Sequence, residues 1–551
     1  MRITVDRHFG WAYGSRMNDE SAGRPSGMVL HPQRDNVGIV LRPIEAGDEV
    51  CGVTAGEQIP QYHKVALAEI AHDAPIIKYG QVIGYTTKPV PRGAWVHTHN
   101  LEMGRLLEQS RTAGEPSPPP DLPPLPDRYF AGYRDRLGRA GTRNYILIAS
   151  MVDCSARVVE MVVDELNRRK EWFSRRYPNV DGVIGLTHDS GCGLVSPSPA
   201  HERQNLTMRN LVNHPNVGGR VVVQLGCEKS QAALVFGSEQ VASVPGTSRP
   251  AGVASGGGAN DAADSNDPQV PTITIQEEGG TWPTVERILR YVEEVLFPRV
   301  NARRRVLIGA DELVVATQCG GSNALSGFTA NAAIGYASDL IVRCNGTTFI
   351  GETTESFGAG HLLTLRARSR EVAQAYLDHV AWYEEYLRKG DGNAQSNLAH
   401  GNTEGGLTTI AEKSLGSVAK GGTTALEWVN DYAETITAKG FGFMNSPAFD
   451  PASATGQTAG GALVGVFSTG AGSCFGGLLI PWIKVVSNTD TFNRMVDMEV
   501  NAGVIADGEA GVEDVGRLIF EQIIAAAGGA KTYSEKVGYS VVNIWNSGAV
   551  T

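Results

Sequence analysis

A chain of 551 residues is too long for one ordinary hydrophobic core, so several domains are expected. With 42% hydrophobic and 19% charged residues it has the composition of a folded globular protein, and a net charge of −11 argues against nucleic acid or an anionic membrane as its main partner. Seven scattered cysteines, an odd number, exclude a disulfide framework and point to a reducing compartment. Met1–Ser15 carries charges and no apolar core, so no signal peptide and a cytoplasmic location are expected.

Residues 1–35 read as irregular. Residues 36–105 read as a small all-β domain, with short strands at Val37–Leu41, Glu49–Gly52, Ala74–Lys78, Val82–Thr87 and Trp95–His97 separated by proline and glycine turns. Residues 106–128 form a linker stiffened by seven prolines between Pro116 and Pro126. From 129 to 300 β and α patterns alternate: strands at Asn144–Ser150, Gly182–Leu186 and Arg220–Leu225, helices at Ala156–Arg169, Glu202–Asn213 and Trp282–Leu296. Segment 238–271, poor in large apolar residues, is expected to be a flexible insertion. A further α/β domain, 301–551, opens on Arg304–Gly309 and carries helices at Glu355–Ala367, Arg370–Lys389, Gly406–Leu415 and Gly511–Ala526. The uncharged stretch Ala459–Ile483 holds seven glycines and a proline, which suits a buried strand–loop–strand and not a membrane span. The expected architecture is therefore a small β domain followed by α/β domains with a mainly parallel, Rossmann-like sheet.

Several clusters could carry chemistry. Thr317–Asn323 places Cys319 in a glycine turn after an apolar run, and about thirty residues on come Glu352, Glu355 and His361. A thiolate, carboxylates and an imidazole at strand ends suit a metal or acid/base site. Both carboxylates could equally cap the first turn of a helix. His97 and His99, two apart on a strand, share a face and could grip one metal or act as an acid/base pair; His63 with Lys64 is a second polar pair. Solvated histidines at a strand end are the plain alternative. Cys192, Cys227 and Cys319 each follow a strand, so they could converge and bind iron, singly or as a cluster; small residues tolerated in tight loops would look the same. Arg143, among glycines before a strand, suits a carboxylate. The loops Gly401–Gly406 and Thr455–Gly461 lack the nucleotide-binding patterns, so no nucleotide cofactor is expected.

Together these motifs resemble the altronate/galactarate dehydratase family, which includes sulfolactate sulfo-lyases. The resemblance rests on His63-Lys64, Lys78-Tyr79-Gly80 and Val96–Asn100 for a β-clip (SAF) module; on Gly141–Asn144, Ser190–Gly193 and Leu225–Glu228; and on Gln318–Ser322, Glu352, Glu355, His361, Gly401-Asn402, Lys413–Gly416, Lys484 and Asn501–Gly503. It implies a metal-dependent hydro-lyase that removes water from a hydroxy-acid, a sugar acid, to give a 2-keto-3-deoxy acid. The implied metal is iron(II), with manganese(II) second, and the implied assembly is a homodimer. It further implies a catalytic set of His63, His97, His99, Glu352, Glu355 and His361. Arg143, Asn144, Ser322, Asn402 and Lys484 would bind substrate, and His97, His99, Cys192, Cys227 and Cys319 would bind metal. Three positions depart from the family pattern: Asn323, Gly360 and Ala471 stand where Asp, Glu and Arg are usual. Losing an arginine removes a bidentate carboxylate clamp, which points to a substrate without a second carboxylate, with fewer hydroxyls, or with another leaving group. A carbon–sulfur or other β-elimination lyase, and a diverged non-catalytic carboxylate-binding protein, are the competing readings.

Overall fold

The computed structural model describes residues 25–109, 114–189, 191–244 and 269–548, so most of the expected irregular segment 1–35 and of the insertion 238–271 lies outside them. The N-terminal module is antiparallel. Gly27–Met28, Val37–Val40, Lys64–Ala66 and Trp95–Val96 form one sheet, and Pro75–Lys78, Gln81–Thr86 and Leu101–Glu102 another. Val37–Val40 is buried along its whole length because both faces are used. Val40 packs in the module's own core with Val50, Ile59 and Val65, while Ile39 packs against Leu325 and Phe328 of the C-terminal region. The strand therefore docks the module as well as building it.

A middle sheet of five parallel strands runs in the order Gly182–Leu186, Tyr145–Ser150, Val217–Gln224, Val270–Thr274, Val241–Ser243. Its central strands are mostly apolar and buried, as strands covered on both faces by helices tend to be. The large sheet has seven parallel strands: Leu426–Asn430, Gly440–Met444, Thr347–Ile350, Val314–Cys319, Val464–Thr469, Trp482–Val486 and Val500–Asn501. From Val314–Cys319 the chain first builds the sheet on one side, then returns to the other side at Val464–Thr469. That reversal of strand order opens a crevice at the carboxyl ends.

Two expectations are corrected here. The strand at 304–309 does not open the large sheet: Val306–Gly309 pairs antiparallel with Tyr129–Arg134, and Leu307 is 72% exposed, so this is a surface ribbon clasping the end of the linker. The single helix expected over Glu355–Ala367 is broken in two. A turn of 3-10 helix spans Thr353–Ser356, Gly358 takes a φ of 82°, and the α-helix begins only at Gly360–Leu365. The proline-rich linker lies against the C-terminal region, with Ser117 N donating to Leu365 O at 2.6 Å and Leu125 N to Arg343 O at 2.9 Å.

Candidate active site

Val314–Cys319 and Thr347–Ile350 are parallel neighbours, and their carboxyl ends carry the densest group of ionisable side chains in the crevice. Cys319 is the last residue of the first strand, and Glu352 follows the second by two residues. Glu352 has a left-handed φ of 64°, a conformation that costs a non-glycine residue on the order of 1 kcal/mol and marks functional turns. The turn that follows brings Glu355 back. Cys319 Sγ and one carboxylate oxygen from each of Glu352 and Glu355 all lie within 4.8 Å of one another, and all three residues are buried.

The helix Ile410–Ala419 supplies the counter-charges. Lys413 and Ser417, four apart on one face, reach the same carboxylate: Lys413 Nζ meets Glu355 Oε1 at 2.8 Å and Ser417 Oγ donates to Oε2 at 3.2 Å. The Cys319 thiol also donates to that Oε2, at 2.9 Å. Lys420 Nζ, just past the helix, donates to Cys319 Sγ at 2.7 Å and stands 3.9 Å from Glu352 Oε2. Glu352 Oε2 is itself buried with no hydrogen-bond partner.

Burial pushes Glu352 well above the ordinary carboxylate range, and the charge of Glu355 adds to it. Burial pushes Glu355 the same way, but Lys413 and Lys420 outweigh it and hold this carboxylate down, to about 2. The Cys319 thiol is raised to about 12 by burial, with Glu355 adding. The resting cluster is thus one carboxylate, one carboxylic acid, a thiol and two ammonium groups. One soft and two hard donors, with one carboxylate oxygen left unpartnered, form a set that could hold a divalent metal ion.

The β module closes on the other side of the same helix. Lys64 and Lys78 reach out of the module and both grip Glu412, at 3.0 and 2.7 Å, with all three side chains buried. Against burial, the two ammonium groups hold Glu412 well below the ordinary range. Lys64 also donates to Gly406 O at 2.7 Å. This triad fixes the histidines of the module over the C-terminal region. His63 Nδ1 accepts from Trp95 Nε1 at 3.1 Å, which leaves Nε2 to donate to Glu404 O at 3.0 Å. Both ring nitrogens are committed within the protein, which leaves neither free for the catalytic role expected of His63. Its ring lies 4.5 Å from that of His97, centroid to centroid. Burial, with the charge of Lys64 adding, lowers His97 to about 3, and its Nδ1 is buried without a hydrogen-bond partner. Contrary to expectation, His97 and His99 do not share a strand face: the strand stops at Val96 and His97–Asn100 forms a turn. Both rings nevertheless pack on Trp95, at 5.4 and 4.9 Å, with His99 on the exposed side.

Other expected site residues have different work. Arg143 is fully buried, and its five N–H groups go to both oxygens of Glu535 and to the carbonyls of Thr142, Ala526 and Ala530. The substrate role is corrected: its carboxylate is the protein's own. Asn144 is likewise spent, donating to Asn179 O and Val300 O and accepting from Arg303. Asn402 holds the loop that carries Ser322, donating to Ser322 O at 2.8 Å. The Ser322 hydroxyl is buried and unpartnered, as a group awaiting a ligand would be. Lys484 donates to Phe475 O at 3.4 Å, and no hydrogen bond among the described residues ties it or His361 to the cluster. Cys192 and Cys227 are exposed and lie on the middle sheet's loops; neither joins the metal-holding group of Cys319. Sequence reasoning assigned no role to Lys413, Ser417, Lys420 or Glu412. A signal existed: Glu412-Lys413 is the sole charged pair inside a helix of otherwise small and apolar residues.

Residues 26–104 match the altronate/galactarate dehydratase SAF domain, 132–298 the second domain of D-galactarate dehydratase/altronate hydrolase, and 310–550 the C-terminal D-galactarate/altronate dehydratase domain. The galactarate dehydratase (L-threo-forming) of Escherichia coli (strain K12) is 38% identical over 94% of this chain and 96% of its own length. The chain belongs to the galactarate/altronate dehydratase family. An altronate dehydratase of Bacillus subtilis (strain 168) is 28% identical over 94% of this chain and 98% of its own. The β subunit of (2R)-sulfolactate sulfo-lyase from Chromohalobacter salexigens is 28% identical over 75% of this chain and 96% of its own. The dehydratase relatives place the chain among the hydro-lyases, and no helix among the described residues is long and apolar enough to cross a membrane.

Two of the three departures from the family pattern, Asn323 and Gly360, have local explanations, and nothing in the structure explains Ala471. Asn323 Oδ1 accepts from Leu325 N, Ser326 N, Ser326 Oγ and Ser487 Oγ, so this residue shapes the loop, and its turn needs an oxygen but no charge. At Gly360 a Cβ would stand 2.7 Å from Tyr376 Oη, so the tyrosine occupies the space where a glutamate would start. Ala471 N donates to Gly321 O at 3.0 Å and its side chain is exposed beside the same turn.

Proposed function

We propose that this chain dehydrates an aldaric acid of the galactarate type to its 2-keto-3-deoxy product. The observation that carries the reading is the near full-length match to a galactarate dehydratase, combined with a buried cluster of acid, thiol and ammonium groups at a strand-order reversal. The higher identity to the galactarate than to the altronate enzymes favours a dicarboxylate over a monocarboxylate sugar acid. This reading requires the second carboxylate to be held by groups other than the arginine missing at Ala471, while Asn323 and Gly360 have structural reasons for their identity.

Cys319, Glu352 and Glu355 would hold the divalent ion, iron(II) before manganese(II). When bound, it supplies positive charge for the enediolate formed by loss of the proton next to the carboxylate. The chain's own groups do the rest. The Lys413 ammonium, on the solvent side of the cluster, donates a proton to the departing hydroxyl. Lys420 keeps positive charge at the strand ends. The Ser322 hydroxyl binds a substrate oxygen. His97, neutral and with an unpartnered nitrogen, is the proton acceptor presented by the β module, and His99 borders the entrance. A cytoplasmic homodimer fits this reading. The test is a panel of galactarate, altronate and (2R)-sulfolactate, assayed anaerobically with iron(II) for 2-keto acid and for sulfite. Keto acid from galactarate supports the proposal; sulfite release, or turnover of altronate alone, overturns it.

A further inference from the structure

The carboxyl edge of the middle sheet holds a second gathering of metal-ligating residues, which the reaction above does not use. Three adjacent parallel strands, Gly182–Leu186, Tyr145–Ser150 and Val217–Gln224, are each followed at the same edge by an exposed free cysteine: Cys192 and Cys227 in loops, and Cys154 in the first turn of the helix Asp153–Arg168. The loops touch. A Cβ on Gly191 would stand 3.1 Å from Val152 Cγ2, which places the residue before Cys192 against the residue two before Cys154. Lys229 Nζ donates to Leu194 O at 2.7 Å, which ties the loop after Cys227 to the loop after Cys192. Gln276, beyond the fourth strand, packs on Gly226 and donates to Cys227 Sγ at 3.6 Å. Gly191 and Gly226 have φ of 116° and 125°, so both turns depend on glycine immediately before the cysteine.

We propose that Cys154, Cys192 and Cys227 hold an iron–sulfur cluster through three thiolates. The pattern differs from the sequence expectation, which grouped Cys319 with Cys192 and Cys227 and left Cys154 out. The spacing favours a cluster over a single ion. One ion would draw its donors together as at Cys319, Glu352 and Glu355, whereas these three sulfurs do not all fall within 4.8 Å of one another. A cluster lies between its ligand sulfurs, which therefore stand further apart than the donors of one ion. Three thiolates are one short of the set that fully ligates a four-iron cluster, so one iron would be open to solvent or a ligand. Assembly takes two iron(II), two iron(III) and four sulfide ions from solution, which sum to a core of charge 2+ with no further oxidant, and releases the three thiol protons. The N–H···S contact from Gln276 is the kind of contact that tunes such a centre.

The full chain is reconstituted anaerobically with iron and sulfide, desalted, and analysed for iron, acid-labile sulfide, visible absorption and the electron paramagnetic resonance of the reduced protein. About four irons and four sulfides per chain are expected. Cys154→Ser, Cys192→Ser and Cys227→Ser should each lose most of the labile sulfide, while Cys319→Ser and Cys344→Ser keep it. Gln276→Leu should keep the cluster and shift its potential. Far-ultraviolet circular dichroism of each variant shows that the fold is kept. Absence of labile sulfide in the wild type, or retention of the full amount in all three cysteine variants, overturns the proposal. Iron without sulfide that is lost only in Cys319→Ser reports the acid cluster and counts against a site on the middle sheet. None of these readouts depends on turnover, so a failed galactarate assay leaves this test intact.

Discussion

The carboxyl edges of the two parallel sheets are built from the same kind of unit, an apolar strand opening into a glycine turn, yet they end in opposite environments. On the large sheet the β module and the helix Ile410–Ala419 seal the edge, and its charges are held by close partners: Glu355 with Lys413, the Lys420 ammonium on the Cys319 sulfur, Glu412 with Lys64 and Lys78. On the middle sheet the equivalent loops stay exposed, and their cysteines carry no such pairing. A buried ionisable group must be neutralised or must shift its pKa, whereas an exposed one is solvated where it stands. The difference shows that the covering module, more than the strand-end motif, decides what chemistry an edge can do. It also follows that substitutions should be costly on the sealed edge and cheap on the open one.

The largest expected effect is on turnover. Glu355→Gln removes the carboxylate that holds Lys413, Ser417 and Cys319 together, and keto-acid formation from galactarate should fall by about 10³-fold or more, with the fold retained. Next is stability. Glu412→Ala strands two buried ammonium groups and should cost about 3–5 kcal/mol in urea unfolding. Replacing all three triad members by apolar residues of similar volume should restore most of it; if the triple variant is as unstable as the single one, the triad is not what seals the edge.

A smaller effect comes from pH. His97 is held neutral, near 3 against an ordinary value of about 6.5, so the unfolded chain binds its proton more readily. Its contribution is therefore complete above about pH 6.5 and is lost as pH falls toward 3, amounting to at most about 2 kcal/mol by pH 5. Urea titrations at pH 7 and pH 5 should show a gap that narrows in His97→Asn. Gly360→Ala should cost about 1–3 kcal/mol through the clash with Tyr376, and Tyr376→Leu in the same chain should relieve it. Least of all, Cys154→Ser in the cluster-free chain should change stability by no more than about 0.5 kcal/mol, as an exposed position should.

Much of this was legible in sequence. Arg370–Lys389 and Gly182–Leu186 coincide with the expected elements because their periodicities are clean and their ends carry turn residues. Cys319, Glu352 and Glu355 could be picked out because reactive residue types after apolar runs are conspicuous. What was hidden is whatever depends on long-range closure. Arg143 looks like a carboxylate clamp locally and is one, but Glu535, its partner, comes from 392 residues away in sequence. The split of 355–367 turns on Gly358 and the left-handed Glu352, which periodicity does not register. Lys413, Lys420 and Glu412 escaped because lysine and glutamate on a helix ordinarily mean a solvated face, and only the docked β module makes that face an interior.

The central claim is that the sealed cluster at Cys319, Glu352, Glu355 and Lys413 is the reaction centre. The most direct measurement is anaerobic, iron(II)-supplemented turnover of galactarate by the wild type and by Lys413→Met, following 2-keto acid, with substrate binding measured by calorimetry. The account predicts rapid product from the wild type and a loss of about 10²-fold or more in Lys413→Met, with galactarate still bound. Undiminished turnover in a folded Lys413→Met protein would contradict it.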